Sequence, residues 1–185
     1  MTTILTIGGS PSHPSRSAAL LDHCRIQLHA RGLTTDNITV RDLNADELIQ
    51  GRFDGPSLTP AFAQVAAADG IIIATPVYKA AYTGVLKAFF DLLPANALGG
   101  KVVLPIALGG SLAHSLVIDY ALRPVLTAMG ASHILHGVYV IDKQLAYPTE
   151  GPGIGFTSQE AEEQVKTALE GFYQQVMQIS GGHSS

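Results

Sequence analysis

Two loops of this sequence carry groups suited to an anion and to a flat aromatic ring, and a third would let a backbone approach closely beside them. The first is GGSPSHPSRS, Gly8 to Ser17, directly after the apolar run Ile4 to Ile7. It leads into a helical pattern, where unpaired N–H groups and the positive end of the helix dipole favour an anion. Ser10, Ser15 and Ser17 add hydroxyl donors, and Arg16 adds a planar fork that fits phosphate oxygens. No Gly-Lys-Ser/Thr follows, and the two glycines are adjacent, so the stretch is neither a Walker A loop nor a dinucleotide GxGxxG. A terminal phosphate monoester suits it better. Glycine and proline shaping an ordinary turn would give a similar composition.

The second stretch is TPVYKAAYTG, Thr75 to Gly84, after the apolar run Ile71 to Ala74. Pro76 lacks an N–H and ends the ladder, which frees the following backbone. Pro76, Val77 and Tyr78 can lie against a flat ring while later N–H groups face its heteroatoms, a description that a flavin fits. Tyr78 and Tyr82 also suit plain half-buried packing. Lys79 is a candidate for a cofactor phosphate or a flavin carbonyl, or simply a solvated loop lysine. The third stretch is LGGSLAH, Leu108 to His114, in which Gly109, Gly110 and Ser111 allow close backbone approach and His114 opens the next helix.

The elements that must position these loops alternate. Apolar runs at Ile4 to Ile7, Ile38 to Val40, Ile71 to Ala74, Val102 to Leu108 and Ile134 to Ile141 read as strands buried on both faces, the mark of a parallel sheet. Between them Leu20, Leu21, Cys24 and Leu28, and then Val85, Leu86, Phe89, Phe90 and Leu93, recur at helical spacing. Thr59 before Pro60 has the form of an N-cap, and Thr157 to Glu160 that of a capping box. The expectation is an α/β fold, a doubly wound five-stranded parallel sheet with helices on both faces, with ligands beyond the carboxyl ends of its strands.

At 185 residues, 46% hydrophobic and 14% charged, the chain suits one domain, expected over residues 1–180, with a short tail at Gly181 to Ser185. A net charge of -4 without a basic block disfavours nucleic acid and anionic membranes, and no apolar run approaches a membrane span. The single cysteine, Cys24, forms no internal disulfide and sits on an apolar stripe, as inert core. With no leader pattern at the N-terminus, a cytoplasmic protein is expected. A mean hydropathy of +0.25 points to apolar surface hidden between subunits. His133 and His136, three apart on an expected strand, point to opposite faces, and no metal site is expected.

Pro124 interrupts the helical pattern from Ser115 to Met129 and cannot donate to the Tyr120 carbonyl. A π-type bulge at Tyr120, or a simple proline kink, would absorb this.

The stretches GSPSHPSRS, ADGIIIATPVYKAAYTGVLKAFFDLLP, GKVVLPIALGGSLAH and DYALRPVL together resemble the NADPH-dependent FMN reductase family. Within it they are most similar to the reductase components of two-component alkanesulfonate monooxygenase systems. The likeness runs from the first strand to about Asp142 and weakens beyond. It implies a flavodoxin-like fold, a homodimer or homotetramer, and reduction of FMN by NADPH for delivery to an FMN-dependent monooxygenase partner. It implies further that Ser10, Ser15, Arg16 and Ser17 hold the FMN phosphate, and that Pro76, Val77, Tyr78 and the turn of Gly109, Gly110 and Ser111 hold the ring. In similar reductases a π-helix is associated with the subunit interface, which places Tyr120 at a subunit contact near the flavin edge. Many members carry arginine where this chain has Ser12, which leaves Arg16 alone to supply side-chain charge. Hydride transfer between stacked rings needs positioning more than acid-base groups, so no catalytic side chain is expected. An enzyme that keeps its FMN and reduces quinones, azo dyes or metal oxyanions is the alternative. An electron carrier is disfavoured, since Pro76 to Gly84 and Gly109 to His114 contain no acid.

Overall fold

The structure, a computed structural model, describes residues 2–147 and 153–182. The main sheet is parallel, in the order β2 (Thr34–Thr39), β1 (Thr3–Gly8), β3 (Gly70–Pro76), β4 (Val102–Gly109) and β5 (His133–Ile134), with β6 (Val138–Ile141) continuing the last position beside β4. The order 2-1-3-4-5 is the flavodoxin-like form of the doubly wound sheet. Successive side chains leave the strands on opposite faces and build two cores. Leu5, Ile7, Ile71, Ile73 and Val103 meet α3 (Thr59–Ala67), α4 (Gly84–Leu92) and α5 (Arg123–Ala128). Ile4, Ile72, Ala74, Leu104 and Ile106 meet α1 (Arg16–His29) and the long α6 (Gln159–Gly182).

Several expected elements differ in detail. The edge strand β2 covers Thr34–Thr39 rather than Ile38 to Val40, because one of its sides has no strand partner and most of its residues are polar. Val40 already belongs to a short turn of 3-10 helix, Val40–Asp42. A short helix α2 (Ala45–Ile49) is added, capped by the Asn44 side chain, which accepts from the N–H groups of Asp46 and Glu47. Thr59 is the first residue of α3 and not its cap: the capping position falls to Leu58. At α6 the cap is Ser158, whose hydroxyl accepts from the Ala161 N–H, while Thr157 donates to the Lys143 carbonyl. A two-stranded antiparallel ladder of β7 (Leu145–Ala146) and β8 (Gly155–Phe156) lies outside the main sheet. The expected tail at 181–185 falls on the last turn of α6 and otherwise outside the described residues.

The fifth position of the sheet, expected as one run, is broken, and Pro105 explains it. Val103 pairs with Ile134 and Ile106 with Val138, so Leu104 and Pro105 face the three residues 135–137. Proline has no N–H for this ladder. The carbonyls of Ile134 and Leu135 turn instead to the Arg123 guanidinium, at 3.2 and 3.0 Å. His136 thus lies in the interruption rather than on a strand. The helical pattern around Pro124 resolves into a π-turn, Ile118–Leu122, followed by α5, with the Arg123 N–H bonded to the Ile118 carbonyl five residues back. The bulge expected at Tyr120 is present. No helix among the described residues is long and apolar enough to cross a membrane.

Cys24 is fully buried between α1 and the sheet, and burial pushes its thiol up to about 12. Only the thiolate reacts with disulfide reagents. The native protein at pH 8 should therefore consume no Ellman reagent over minutes, and the urea-unfolded chain one equivalent; fast reaction of the native form would place Cys24 elsewhere.

Candidate active site

The three loops emerge side by side at the carboxyl edge of β1, β3 and β4. The first is fastened before it turns outward. The Gly9 N–H continues the ladder to the Ala74 carbonyl at 2.8 Å, and the Gly9 carbonyl accepts from the hydroxyl of Thr83. Gly9 lies so close to α4 that a Cβ there would stand 2.8 Å from Leu86 Cδ2 and 3.2 Å from Thr75 Oγ1. Ser10 is buried, and its hydroxyl accepts from the Ser12 N–H at 3.2 Å. Ser15 is the N-cap of α1, accepting from the Ala18 N–H at 3.3 Å, and shares a 2.9 Å bond with the hydroxyl of buried Ser17. The N–H groups of Ser10, His13 and Ser15 find no acceptor among the described residues, and those of Arg16 and Ser17 lie in the first helical turn, which offers none. Five backbone donors in eight residues are the donor set of an anion cradle. Arg16 is exposed and its guanidinium stands 5.6 Å from the centre of the Tyr147 ring.

The second loop leaves β3 at Pro76. Val77 donates to the Leu108 carbonyl at 2.7 Å, and its side chain packs with Ala107, Val117 and Ile118. Tyr78 and Ala81 then close a two-residue turn with bonds of 2.9 and 3.1 Å. Its central residues, Lys79 at φ 51° and Ala80 at φ 64°, are both left-handed without being glycine, a conformation that costs roughly 1–2 kcal/mol per residue. Such turns normally announce themselves by Asn or Gly, which is why the sequence hides this one. Tyr78 is about half exposed, and its hydroxyl stands 3.5 Å from the Ser12 hydroxyl, linking the first two loops. Thr83 closes the loop as the buried N-cap of α4.

The third loop is shaped from beneath by a residue that the sequence does not single out. Tyr139, on β6, donates to the Ser111 carbonyl at 2.7 Å, and its hydroxyl fills the space where a Cβ on Gly109 would lie. Burial raises the phenol above its ordinary value, with Asp142 adding to the effect. The only signal was register, since Gly109 pairs with Ile141, two residues beyond Tyr139. Gly110 is different: a Cβ there would meet nothing within 4 Å. His114 ends a turn of 3-10 helix, Leu112–His114, rather than opening a helix, and the π-turn begins only at Ile118. Leu112, Leu116 and Tyr120 follow at spacing four, all exposed.

A second residue missed by sequence reading is Arg41. It lies just past β2, and its guanidinium donates to the Ser12 carbonyl at 2.5 Å. Charge at the first loop therefore does not rest on Arg16 alone. The three loops, residues 9–17, 76–84 and 109–114, carry Arg16 and Lys79 and no Asp or Glu. Among the described residues no three His, Cys, Asp or Glu side chains converge as metal ligands.

The donor set and the uncovered Gly110 fit a ligand with a phosphate at one end and a planar ring at the other. Comparison with known proteins shows the family. An FMN reductase (NADPH) of Pseudomonas putida is 47% identical over 92% of this chain and 86% of its own length. One from Escherichia coli is 46% identical over 92% and 88%. A crystal structure of the NADH:FMN oxidoreductase EmoB, in its apo form, superimposes with a TM-score of 0.83 at 38% identity, covering 93% of this chain and 88% of that one. Residues 2–146 match the family model for NADPH-dependent FMN reductase, and the chain belongs to that family.

Proposed function

We propose that this chain, an NADPH-dependent FMN reductase by family, holds FMN across the three loops, reduces it as an exchangeable substrate in the cytoplasm and passes it to an FMN-dependent monooxygenase that desulfonates alkanesulfonates. The observation that carries the binding mode is the pairing of two ends on one sheet edge. Free backbone donors with Ser10, Ser15, Arg16 and Ser17 suit a phosphate dianion, and Pro76, Val77 and Tyr78 with the turn of Gly109, Gly110 and Ser111 suit a flat ring. Lys79 and His114 stand exposed at the rim, where a nicotinamide dinucleotide would approach. When bound, FMN supplies the ring that accepts hydride from NADPH. The protein supplies placement: the Thr83 and Tyr139 hydrogen bonds hold two loop backbones at fixed positions, and the loops at the ring end carry no carboxylate. NADPH as donor agrees with the relatives at 46–47% identity, whereas the 38% identical structure is of an NADH enzyme. Tyr78, Lys79, Ala80, Gly110 and Ser111 are exposed, a ring end from which flavin can leave. The alkanesulfonate partner rests on the likeness of the PVYKAAYTG and LPIALGGSLAH stretches to reductases of that system.

The exposed row of Leu112, Leu116 and Tyr120 lies beside the ring end, and Tyr120 belongs in this reading to a subunit contact of a homodimer or homotetramer. Tyr120→Asp should then shift the sedimentation profile to a smaller species; an unchanged profile would remove Tyr120 from the contact.

Activity is tested by mixing the protein with NADPH and excess FMN in air and following the nicotinamide absorbance. FMN-dependent loss is expected, and its absence would overturn the reading. Two glycine variants test the ring end. Gly110→Val should weaken FMN at least tenfold while leaving the thermal midpoint unchanged, because a Cβ at this position meets nothing of the protein within 4 Å. Gly109→Ala should instead lower stability by about 1–3 kcal/mol, since it displaces the Tyr139 hydroxyl from Ser111. Equal FMN binding by Gly110→Val and wild type would move the ring elsewhere.

A further inference from the structure

We propose that Arg41 is a positioning residue for the phosphate loop and the source of this protein's preference for a phosphorylated flavin over its dephosphorylated form. The proposal rests on assigning the first loop to the phosphate. Arg41 comes from the turn after β2, a different element from the loop it serves, and its side chain is mostly buried, 23% exposed. Its Nη1 donates to the Ser12 carbonyl, 29 residues earlier in the chain. Its Nε donates to Asp42 at 3.2 Å, but that carboxylate is 66% exposed, so the acid that balances the charge lies on the solvent side. The cleft beside the loop is lined by Arg41 together with His13, Pro14, Ser15, Thr39 and the Asp22 carboxylate, and not by Ser10, Arg16 or Ser17, so the guanidinium props the loop backbone rather than joining its donor set.

Two consequences follow for an anion. A loop built to hold phosphate has to turn its carbonyl oxygens away from the ligand, because each is a negative dipole end facing a dianion. Arg41 takes one of these oxygens and holds it outward. In a trans peptide the C=O and the next N–H point to opposite sides, so fixing the Ser12 carbonyl against Arg41 turns the His13 N–H the other way. That N–H has no acceptor among the described residues. The second consequence is charge. The Ser12 side chain brings none, and Arg16 leans on Tyr147, so Arg41 is the guanidinium joined directly to the loop backbone. Charge-assisted hydrogen bonds of this kind are among the stronger ones, and the effect should reach the phosphate and not the ring.

Riboflavin, which shares the ring and lacks the phosphate, separates these roles. Equilibrium binding of FMN and of riboflavin, read by quenching of flavin fluorescence, is measured for wild type and Arg41→Met at low and high salt. The expected result is about a tenfold weaker FMN complex, riboflavin within twofold of wild type, and a shallower salt dependence for FMN. Equal weakening of both flavins would make Arg41 a general prop of the fold, and no change in either would remove it from the site; both results overturn the proposal. Wild type that binds riboflavin as tightly as FMN would instead overturn the phosphate assignment, and the proposal with it. Should the methionine variant fail to fold, Arg41→Gln, which keeps a donor without the charge, carries the same comparison with the same outcomes.

Discussion

The site depends on one buried hydroxyl. Thr83 Oγ1 donates to the Gly9 carbonyl and accepts from the Leu86 N–H, while its own N–H donates to Thr75 Oγ1. Through these bonds the end of β1, the end of β3 and the first turn of α4 become one body. A buried carbonyl without a partner costs about 1–3 kcal/mol, so the bond to Gly9 is not an ornament of the loop but a condition for bringing its backbone so deep. The close packing of Gly9 on Leu86 follows from it, because the glycine has to approach α4 for the hydroxyl to reach. Everything that the first two loops present outward is hung on this junction.

The third loop is set by a separate device that begins with a missing donor. Pro105 interrupts pairing on its β5/β6 side, three residues loop out opposite it, and the carbonyls of Ile134 and Leu135 at the start of the interruption are collected by Arg123. Arg123 is also the residue whose N–H closes the π-turn, and its side chain pairs with Asp119 inside that turn at 3.1 Å. Gly137 fits under Ile118 of the same turn, where a Cβ would stand 2.8 Å from the Ile118 side chain. Strand break and π-turn are therefore one coupled feature. Past the break, β6 resumes in the register that brings Tyr139 under Ser111.

What the sequence made legible was governed by local physics. Runs such as Ile71 to Ala74 and Val102 to Leu108 are buried on both faces and read as central strands without ambiguity, and the loops at their ends follow from topology. The polar edge strand β2 was only half visible, since Asp36 and Asn37 need no apolar face. The helix caps read at Thr59 and Thr157 were each off by one residue, the structure placing them at Leu58 and Ser158, because two hydroxyls or a proline in succession leave the cap undecided until the backbone is known. Lys79 and Ala80 carry no turn signature, so their left-handed pair was invisible. Arg41 and Tyr139 were out of reach for a different reason. Each acts on a residue 28 or 29 positions away, and only strand register brings the partners together.

The sign of the charge ties these parts to the chemistry. The whole chain is acidic, at -4, yet the three loops proposed to hold ligand contain no carboxylate, and guanidinium or ammonium groups come from Arg16, Lys79 and Arg41. Flavin mononucleotide and a reduced nicotinamide dinucleotide phosphate are both multiply charged anions. In an acidic molecule, loops without carboxylates favour the approach of such ligands there over the rest of the surface. The same loops present few groups that would compete for a hydride or a proton. A site that works by placing two rings together draws its specificity from the ends of the ligands, and in the proposed binding mode backbone N–H groups, with Arg41 behind them, meet the phosphate end.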